Sequence, residues 1–387
     1  VVFVDGAVPG ERVELLDIRI QKRMIRARVG RILAGTPDRV EPKCVHFGTC
    51  GGCRWQHVAY SAQLESKRTI VRDALERIGG LSLEQEIEIV PSPEPYGYRA
   101  RARWVESEKG LGYRVRGSRV VSPVNSCPVL VPSAEKVLSE RAAALEDQAP
   151  EQGDLPPKKP ARPIEWVVTA GAEAAALVRP ARAGASSRGR KASPGSVTIE
   201  ASGESLRVSS SSFVQGNALL WDAFATTVQA ACLGEGGEAS SLRFVELYAG
   251  VGFFTLPLAR RGASGMALES DPSAVADLKF NLHRSGLAPK VEIVSSRAEK
   301  RNDLKSRFAS ADVLLVDPPR IGLEEGVRDE ICASGPQRFV YVSCDPATLA
   351  RDLRALASAG YSICSVQAFD LFPQTPHVET VVRLERN

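Results

Sequence analysis

No stretch of this 387-residue chain holds the roughly 18 consecutive apolar residues that a membrane-spanning helix needs. The N-terminus has neither a basic flank nor a continuous apolar segment of the signal type. A soluble, cytoplasmic protein with no membrane partner is therefore expected. The first residue is Val rather than Met, so a few residues of the first domain are expected to precede it. Charge of one sign is also scarce: Lys plus Arg number 50 against 46 acids, a net +4 too mild by itself to require a polyanionic partner. Cysteines number eight, too few for a secreted disulfide scaffold of this length. Neither a G-x-G-x-x-G spacing nor a Walker lysine accompanies the glycine turn near residue 250, which argues against dinucleotides and nucleoside triphosphates as first-choice ligands.

What is present is unevenly distributed. "RIQKRMIRARVGRI" (19–32) and "YRARARW" (98–104) interleave Arg and Lys with apolar residues, as a strand does when one face packs and the other meets phosphates. Residues 1–42 alternate in short strand-like runs broken by Gly, Pro and Asp, which predicts a small β-barrel. "HVAYSAQLESKRTIVRDALERIGG" repeats apolar residues at helical spacing and stops at Gly-Gly, which predicts a helix. Residues 43–215 read as a central α+β domain with an insertion over 140–195, rich in Ala, Pro, Gly and Arg with Trp166 its only aromatic. The acid-free "PARAGASSRGRKASP" within it reads as a surface loop, with RNA contact the alternative. From residue 216 to 387 buried strands alternate with amphipathic helices: "LRFVELYAG", "ASGMALES", "KVEIVSS", "ADVLLVDPPR", "RFVYVSCDP" and "YSICSVQAFD". That pattern predicts a doubly wound, Rossmann-like α/β domain with a parallel sheet and ligands at the carboxyl ends of its strands.

Several motifs fall at those strand ends. Gly250 and Gly252 leave room for close backbone approach, and Glu269 follows at the end of the next strand, suited to a ribose diol. A glycine turn and an acidic strand end without a phosphate grip predict a nucleoside such as S-adenosylmethionine. Asp317 is stiffened by Pro318 and Pro319; Arg320 stands where amino-group methyltransferases carry a stacking aromatic. Cys344 closes a strand and precedes a helix whose dipole would favour the thiolate; the alternative is a small buried hydrophobe. Glu379, between Val378 and Thr380, would be partly desolvated and raised toward a useful range for a general base. Cys44, Cys50 and Cys53 are spaced C-x5-C-x2-C, with Cys127 a fourth thiol, a set that suits zinc or an iron–sulfur cluster. The single close pair and the distant fourth thiol favour [4Fe–4S].

Taken together, "VPGERV", "CVHFGTCGGCRWQH", "SSFVQGN", "ELYAGVGFFTLPLA", "VDPPR", "YVSCDPATLARDL" and "TPHVETV" resemble the RNA 5-methyluridine methyltransferase family, in its iron–sulfur branch acting on bacterial 23S ribosomal RNA. The resemblance covers nearly the whole chain. It implies a TRAM-like, OB-like barrel at 1–42 that binds RNA, a cluster domain at 43–215, and a methyltransferase domain at 216–387, in a monomer. It implies Cys344 as nucleophile toward uracil C6, Glu379 as the base that removes the C5 proton, and Gln215, Tyr248, Phe253, Glu269 and Asp317 around S-adenosylmethionine. Phe253 departs from a pattern in which many relatives carry Asn. A target base would have to leave its stack, so a single-stranded or unfolded loop is the expected substrate. Alternatives are a transfer-RNA uridine-C5 methyltransferase, an amine-directed RNA or DNA methyltransferase, a nonenzymatic RNA-binding or cluster-carrying protein, and a radical S-adenosylmethionine enzyme.

Overall fold

The computed structural model describes residues 1–147, 163–171, 174–178, 195–234 and 239–386. Most of the expected insertion, with the acid-free segment 180–194, lies outside the described residues. Among those residues no helix is long and apolar enough to cross a membrane.

Three strands open the chain: β1 (Val2–Asp5), β2 (Arg12–Gln21) and β3 (Met24–Ala34), in the order β1-β3-β2. They make a bulged sheet; the described strands do not themselves close the expected barrel. Helix α1 (Tyr60–Arg77) follows the cysteine segment and ends at Gly79 and Gly80, the second with φ 67°, the left-handed stop that its sequence predicts. After β4 (Glu88–Val90) come β5 (Arg101–Ser107), β6 (Gly110–Arg114), β7 (Val121–Pro123), α2 (Pro132–Glu146), β8 (Ile164–Ala170) and β9 (Ala175–Val178). These five strands from β5 to β9 form one sheet, with α2 residues Ala134 and Leu138 packed in its core beside Trp104 and Val168.

A hairpin, β10 (Ser196–Ala201) and β11 (Glu204–Ser209), and helix α3 (Trp221–Leu233) lead into the large sheet. Its strands are β12 (Arg243–Leu247), β13 (Ser264–Glu269), β14 (Val291–Ser295), β15 (Val313–Val316), β16 (Arg338–Ser343), β17 (Tyr361–Phe369) and β18 (Glu379–Arg386), interleaved with α4 (Thr255–Arg260), α5 (Pro272–Arg284), α6 (Leu304–Ala309), α7 (Glu325–Ser334) and α8 (Pro346–Ser358). The order among the described residues is β14-β13-β12-β15-β16-β18-β17-β4. Apolar side chains alternate between the two faces. Leu315, Val340 and Val381 meet α3, α4 and α5, while Leu314, Tyr341 and Val382 meet α1, α6, α7 and α8. The predicted doubly wound α/β architecture is thus present.

Two features depart from the sequence reading. Strand β18 runs antiparallel to both neighbours, because the residues between β17 and β18, 370–378, contain no helix and are too few for a parallel crossover. The expected boundary at 215/216 is also crossed: β4 adds to the edge of the large sheet beside β17, and α1 buries Val71 and Leu75 in that sheet's core. Burial of α1 carries a polar stripe with it, since Gln63 and Lys67 lie on the same helical face as Val71. Lys67 pairs with Asp370, both side chains fully buried. Replacing Lys67 by Met should leave Asp370 buried without its cation and cost about 3–5 kcal/mol, read as a lower urea midpoint; Lys67→Met with Asp370→Asn should recover part of the loss.

Candidate active site

The parallel strands of the large sheet all end at one edge, and β18 begins there because it runs the other way. Ser343 pairs with Thr380, so the next residue, Cys344, lies opposite Glu379. Val316 pairs with Tyr341 on the other side of β16, so Asp317 projects from the same edge. Gln215, in the loop before α3, donates from Nε2 to Asp317 Oδ2 at 3.0 Å. Arg320, at the end of the Asp-Pro-Pro turn, lies 3.4 Å through Nη2 from His377 Nε2.

Burial dominates the electrostatics of this group. Desolvation raises the Asp317 carboxyl, and the Gln215 hydrogen bond opposes the shift. Glu379, 2% exposed, is raised well above the usual carboxylate range by burial first and by Asp317 second, with Arg320 opposing. The Cys344 thiol is pushed up to about 12 by burial, then by Glu379 and Asp317, while Arg320 favours the thiolate. The expected activation at rest by the following helix is therefore corrected. Here Asp345 caps α8, accepting from Ala347 N and Thr348 N, and burial first, with Glu379 and Asp317 after it, disfavours the neighbouring thiolate.

The glycine turn is built around Glu269. Its Oε2 accepts from Gly250 N at 2.8 Å, and its Oε1 accepts from Ser270 N and Asp271 N at 2.6 and 2.7 Å. Three of a carboxylate's roughly four acceptor sites are thus taken by backbone, leaving one toward the open side. Gly250 has φ 57° with nothing within 4 Å of a would-be Cβ, so the turn has room for a ligand against its backbone. Tyr248 precedes it at φ 66° and packs on the α6–α8 side. Phe253 is 6% exposed with its ring edge-on to Phe254, so in this structure its side chain belongs to the core.

Cys44, Cys50, Cys53 and Cys127 line one cavity with Arg99 and Tyr113. Gly52 N donates to Cys50 Sγ at 3.4 Å and Tyr113 Oη to Cys127 Sγ at 3.7 Å. Burial raises the Cys50 and Cys53 thiols and takes Cys127 to about 11. A Cβ on Gly51 would lie 2.3 Å from Arg114 O, so the loop closes on β6 only with glycine there. Among the described residues no three His, Cys, Asp or Glu side chains converge closely enough to hold a single metal ion: the thiols surround a space rather than close on a point.

The tRNA (uracil-5-)-methyltransferase family matches residues 196–387. An uncharacterized RNA methyltransferase of Thermosynechococcus vestitus is 32% identical, covering 99% of this chain and 93% of that protein. The 23S rRNA (uracil(1939)-C(5))-methyltransferase of Edwardsiella ictaluri is also 32% identical, covering 99% and 90% respectively. The chain belongs to the RNA uracil-C5 methyltransferase family. It is accordingly an enzyme that uses S-adenosylmethionine to methylate uracil C5 in RNA, and the amine-directed, nonenzymatic and radical readings fall away. The tRNA (uracil-54, C5)-methyltransferase of Pyrococcus abyssi, solved with S-adenosyl-L-homocysteine, shares the fold with a TM-score of 0.73 at 23% identity over 98% of this chain and 95% of that one.

Sequence reasoning missed some of what this uracil-C5 methyltransferase gathers around its edge. The run 98–104, already marked by its interleaved Arg, supplies Tyr98, Arg99, Arg101 and Arg103 to a basic hollow beside Gln215, but its Phe213 and Phe372 walls were not singled out, and Phe213 is 61% exposed. Glu246 carries a signal in the sequence, a Glu between Val245 and Leu247 in an otherwise apolar run. It is 1% exposed and accepts from Thr255 Oγ1. Burial, with Asp317 and Glu269 adding to it, raises its carboxyl to about 8. A carboxyl raised in the folded state adds stability that is present below the ordinary range and lost as pH climbs through the raised value. Wild-type stability in urea should therefore fall between about pH 5 and pH 9, with a slope approaching 1.4 kcal/mol per pH unit from this group; Glu246→Gln should flatten that slope.

Proposed function

We propose that this enzyme methylates a uridine of 23S ribosomal RNA through a covalent bond between Cys344 and uracil C6, with Glu379 removing the C5 proton. The observation that carries the reading is the antiparallel pairing of β18 with β16, which sets Cys344 and Glu379 side by side next to Asp317. Full-length likeness to 23S-directed relatives supports the substrate over a transfer RNA.

Uracil C5 is a poor nucleophile until C6 is attacked, so a covalent step divides the barrier in two. Ionised Cys344 adds to C6, and the π electrons move to C5 and O4. S-adenosylmethionine supplies a sulfonium methyl, the electrophile for C5, when bound at the Gly250 turn. Glu379 then takes the C5 proton, the C–H electron pair restores the C5=C6 bond, and the thiolate leaves C6. A carboxylate whose pKa is raised by burial is a stronger base than one in water, which suits that task. Arg320 is the cation that eases ionisation of Cys344, whose thiol proton passes to solvent before the thiolate adds to C6. Asp317, held by Gln215, is placed to accept from the uracil edge or the cofactor.

RNA binding is assigned to the basic hollow beside Gln215 and to residues 1–42. On β2 and β3, exposed Arg19 and Arg26 stand directly opposite one another, an arrangement that is unfavourable unless an anion lies between them. Cys44, Cys50, Cys53 and Cys127 would hold a [4Fe–4S] cluster, which needs its thiolates farther apart than one metal ion does, and its contribution would be to tie residues 44–56 to the central sheet. The units proposed are a TRAM-like RNA-binding segment at 1–42, a cluster-bearing domain from 43, and a methyltransferase domain from 216 whose sheet and core are completed by β4 and α1.

Three outcomes test this reading. Cys344→Ala should form no covalent RNA adduct, whereas Glu379→Gln should accumulate a methylated protein–RNA conjugate stable to denaturing electrophoresis; near-normal turnover by Cys344→Ala, or conjugate formed only by transfer RNA, would overturn the mechanism or the substrate respectively. Glu269→Ala should weaken S-adenosylmethionine binding by about one to two decades in calorimetry, the worth of one charge-assisted hydrogen bond. Anaerobically purified protein should contain iron and acid-labile sulfide, lost in Cys53→Ser; stoichiometric zinc without iron would sink the cluster assignment.

A further inference from the structure

The loop that delivers Glu379 is held from outside the methyltransferase domain. Gln374, midway along residues 370–378, has φ 66°, a left-handed conformation that a side chain other than glycine keeps only where its surroundings enforce it. Those surroundings are specific. Gln374 O accepts from both Arg54 N and Trp55 N at 2.9 Å, the two residues that follow Cys53. Gln374 N donates to Gln63 Oε1 at 2.9 Å, and Gln63 Nε2 donates back to Gln374 Oε1 at 3.1 Å. One residue earlier, Pro373 O accepts from Tyr98 Oη at 2.8 Å. Gln63, Tyr98 and Gln374 are 1%, 2% and 3% exposed, so water does not compete for these bonds.

From Gln374 to Glu379 the chain has little slack. Thr375 Oγ1 donates to Phe372 O at 2.8 Å and accepts from His377 N at 3.2 Å. Pro376 fixes its own φ, and Val378 is fully buried. A shift at Gln374 is thus transmitted to Glu379, whereas Cys344 is carried on the interior strand β16 and α8.

We propose that Gln374 is a positioning residue for proton removal from C5, and that its reciprocal amide pair with Gln63 and its carbonyl bonds from the cysteine segment set where the Glu379 carboxylate sits. This rests on the Cys344–Glu379 mechanism above. Because the latch holds the base and not the nucleophile, loosening it slows release of the methylated adduct: the C5–H bond persists, the C5=C6 bond is not restored, and the Cys344–C6 bond is retained. Addition and methyl transfer proceed.

The test uses the full-length enzyme with RNA substrate. Gln63→Met removes the amide at nearly constant volume; Tyr98→Phe deletes one hydroxyl and keeps the packing. Gln63→Met should lower kcat about ten- to hundredfold, the scale of an ångström-level misplacement, with KM for RNA and Kd for S-adenosylmethionine within about twofold of wild type. Methylated conjugate should accumulate in both variants, more in Gln63→Met, and hydrogen exchange at the Arg54, Trp55 and Gln374 amides should quicken in Gln63→Met while the 247–252 turn keeps its protection. A purely structural role would instead lower all activities together without conjugate. Wild-type turnover in both variants, a loss confined to KM, or a Gln63→Met chain that does not fold alongside a Tyr98→Phe enzyme free of conjugate would each overturn the proposal. Glu379→Gln run in parallel separates the two claims: no conjugate from it overturns the mechanism and the positioning role with it, whereas conjugate from Glu379→Gln but none from the latch variants overturns the positioning role alone.

Discussion

The antiparallel insertion of β18 between β16 and β17 is the constraint on which the rest of the site depends. In a wholly parallel sheet every strand contributes its last residue to the ligand edge. Reversing one strand lets its first residue join them, so Glu379 at the start of β18 stands beside Cys344 at the end of β16. The reversal follows from chain length: residues 370–378 are too few to cross over, and they turn back instead. The same short connection makes the position of Glu379 sensitive to anything that grips the loop.

Burial does the remaining electrostatic work. Asp317 and Glu379 share a desolvated edge with a thiol; burial is the first reason each resists ionisation, and acidic neighbours add to it for Glu379 and Cys344. Raising these groups limits the cost of isolated buried charge. The opposing influences come from particular groups, the Gln215 amide on Asp317 and the Arg320 guanidinium on Cys344 and Glu379. The proposed chemistry, through an enolate and a thiolate, calls for such a setting, where one cation or one hydrogen bond shifts an ionisation equilibrium far more than it would in water.

The polar residues of α1 connect the parts of the molecule. Lys67 and Gln63 occupy a helical face otherwise filled by Val71 and Leu75, and both reach the loop between β17 and β18. The backbone just after Cys53 reaches the same loop. A segment rich in cysteine, a helix and the last turn of the methyltransferase domain are therefore one hydrogen-bonded unit, and β4 completes the join by pairing with β17. The boundary that composition draws at 215/216 does not coincide with the limits of the packed core.

By itself the sequence determined the large α/β sheet, the end of α1 at Gly79 and Gly80, the glycine turn with Glu269 at the next strand end, and the candidacy of Asp317, Cys344 and Glu379. Each of these is carried by local pattern: apolar runs of strand length, a left-handed stop, a polar residue at the point where a buried run breaks. The motifs in order also carried the family. Only tertiary structure decided the direction of β18, the burial that raises the Cys344 thiol, the inward turn of Phe253, and the partners of Glu246, Lys67 and Gln374. Those depend on which groups meet across the core from positions far apart in the chain, as Gln63 and Gln374 do, and on how much water the packing excludes. A residue's spacing in sequence encodes neither quantity.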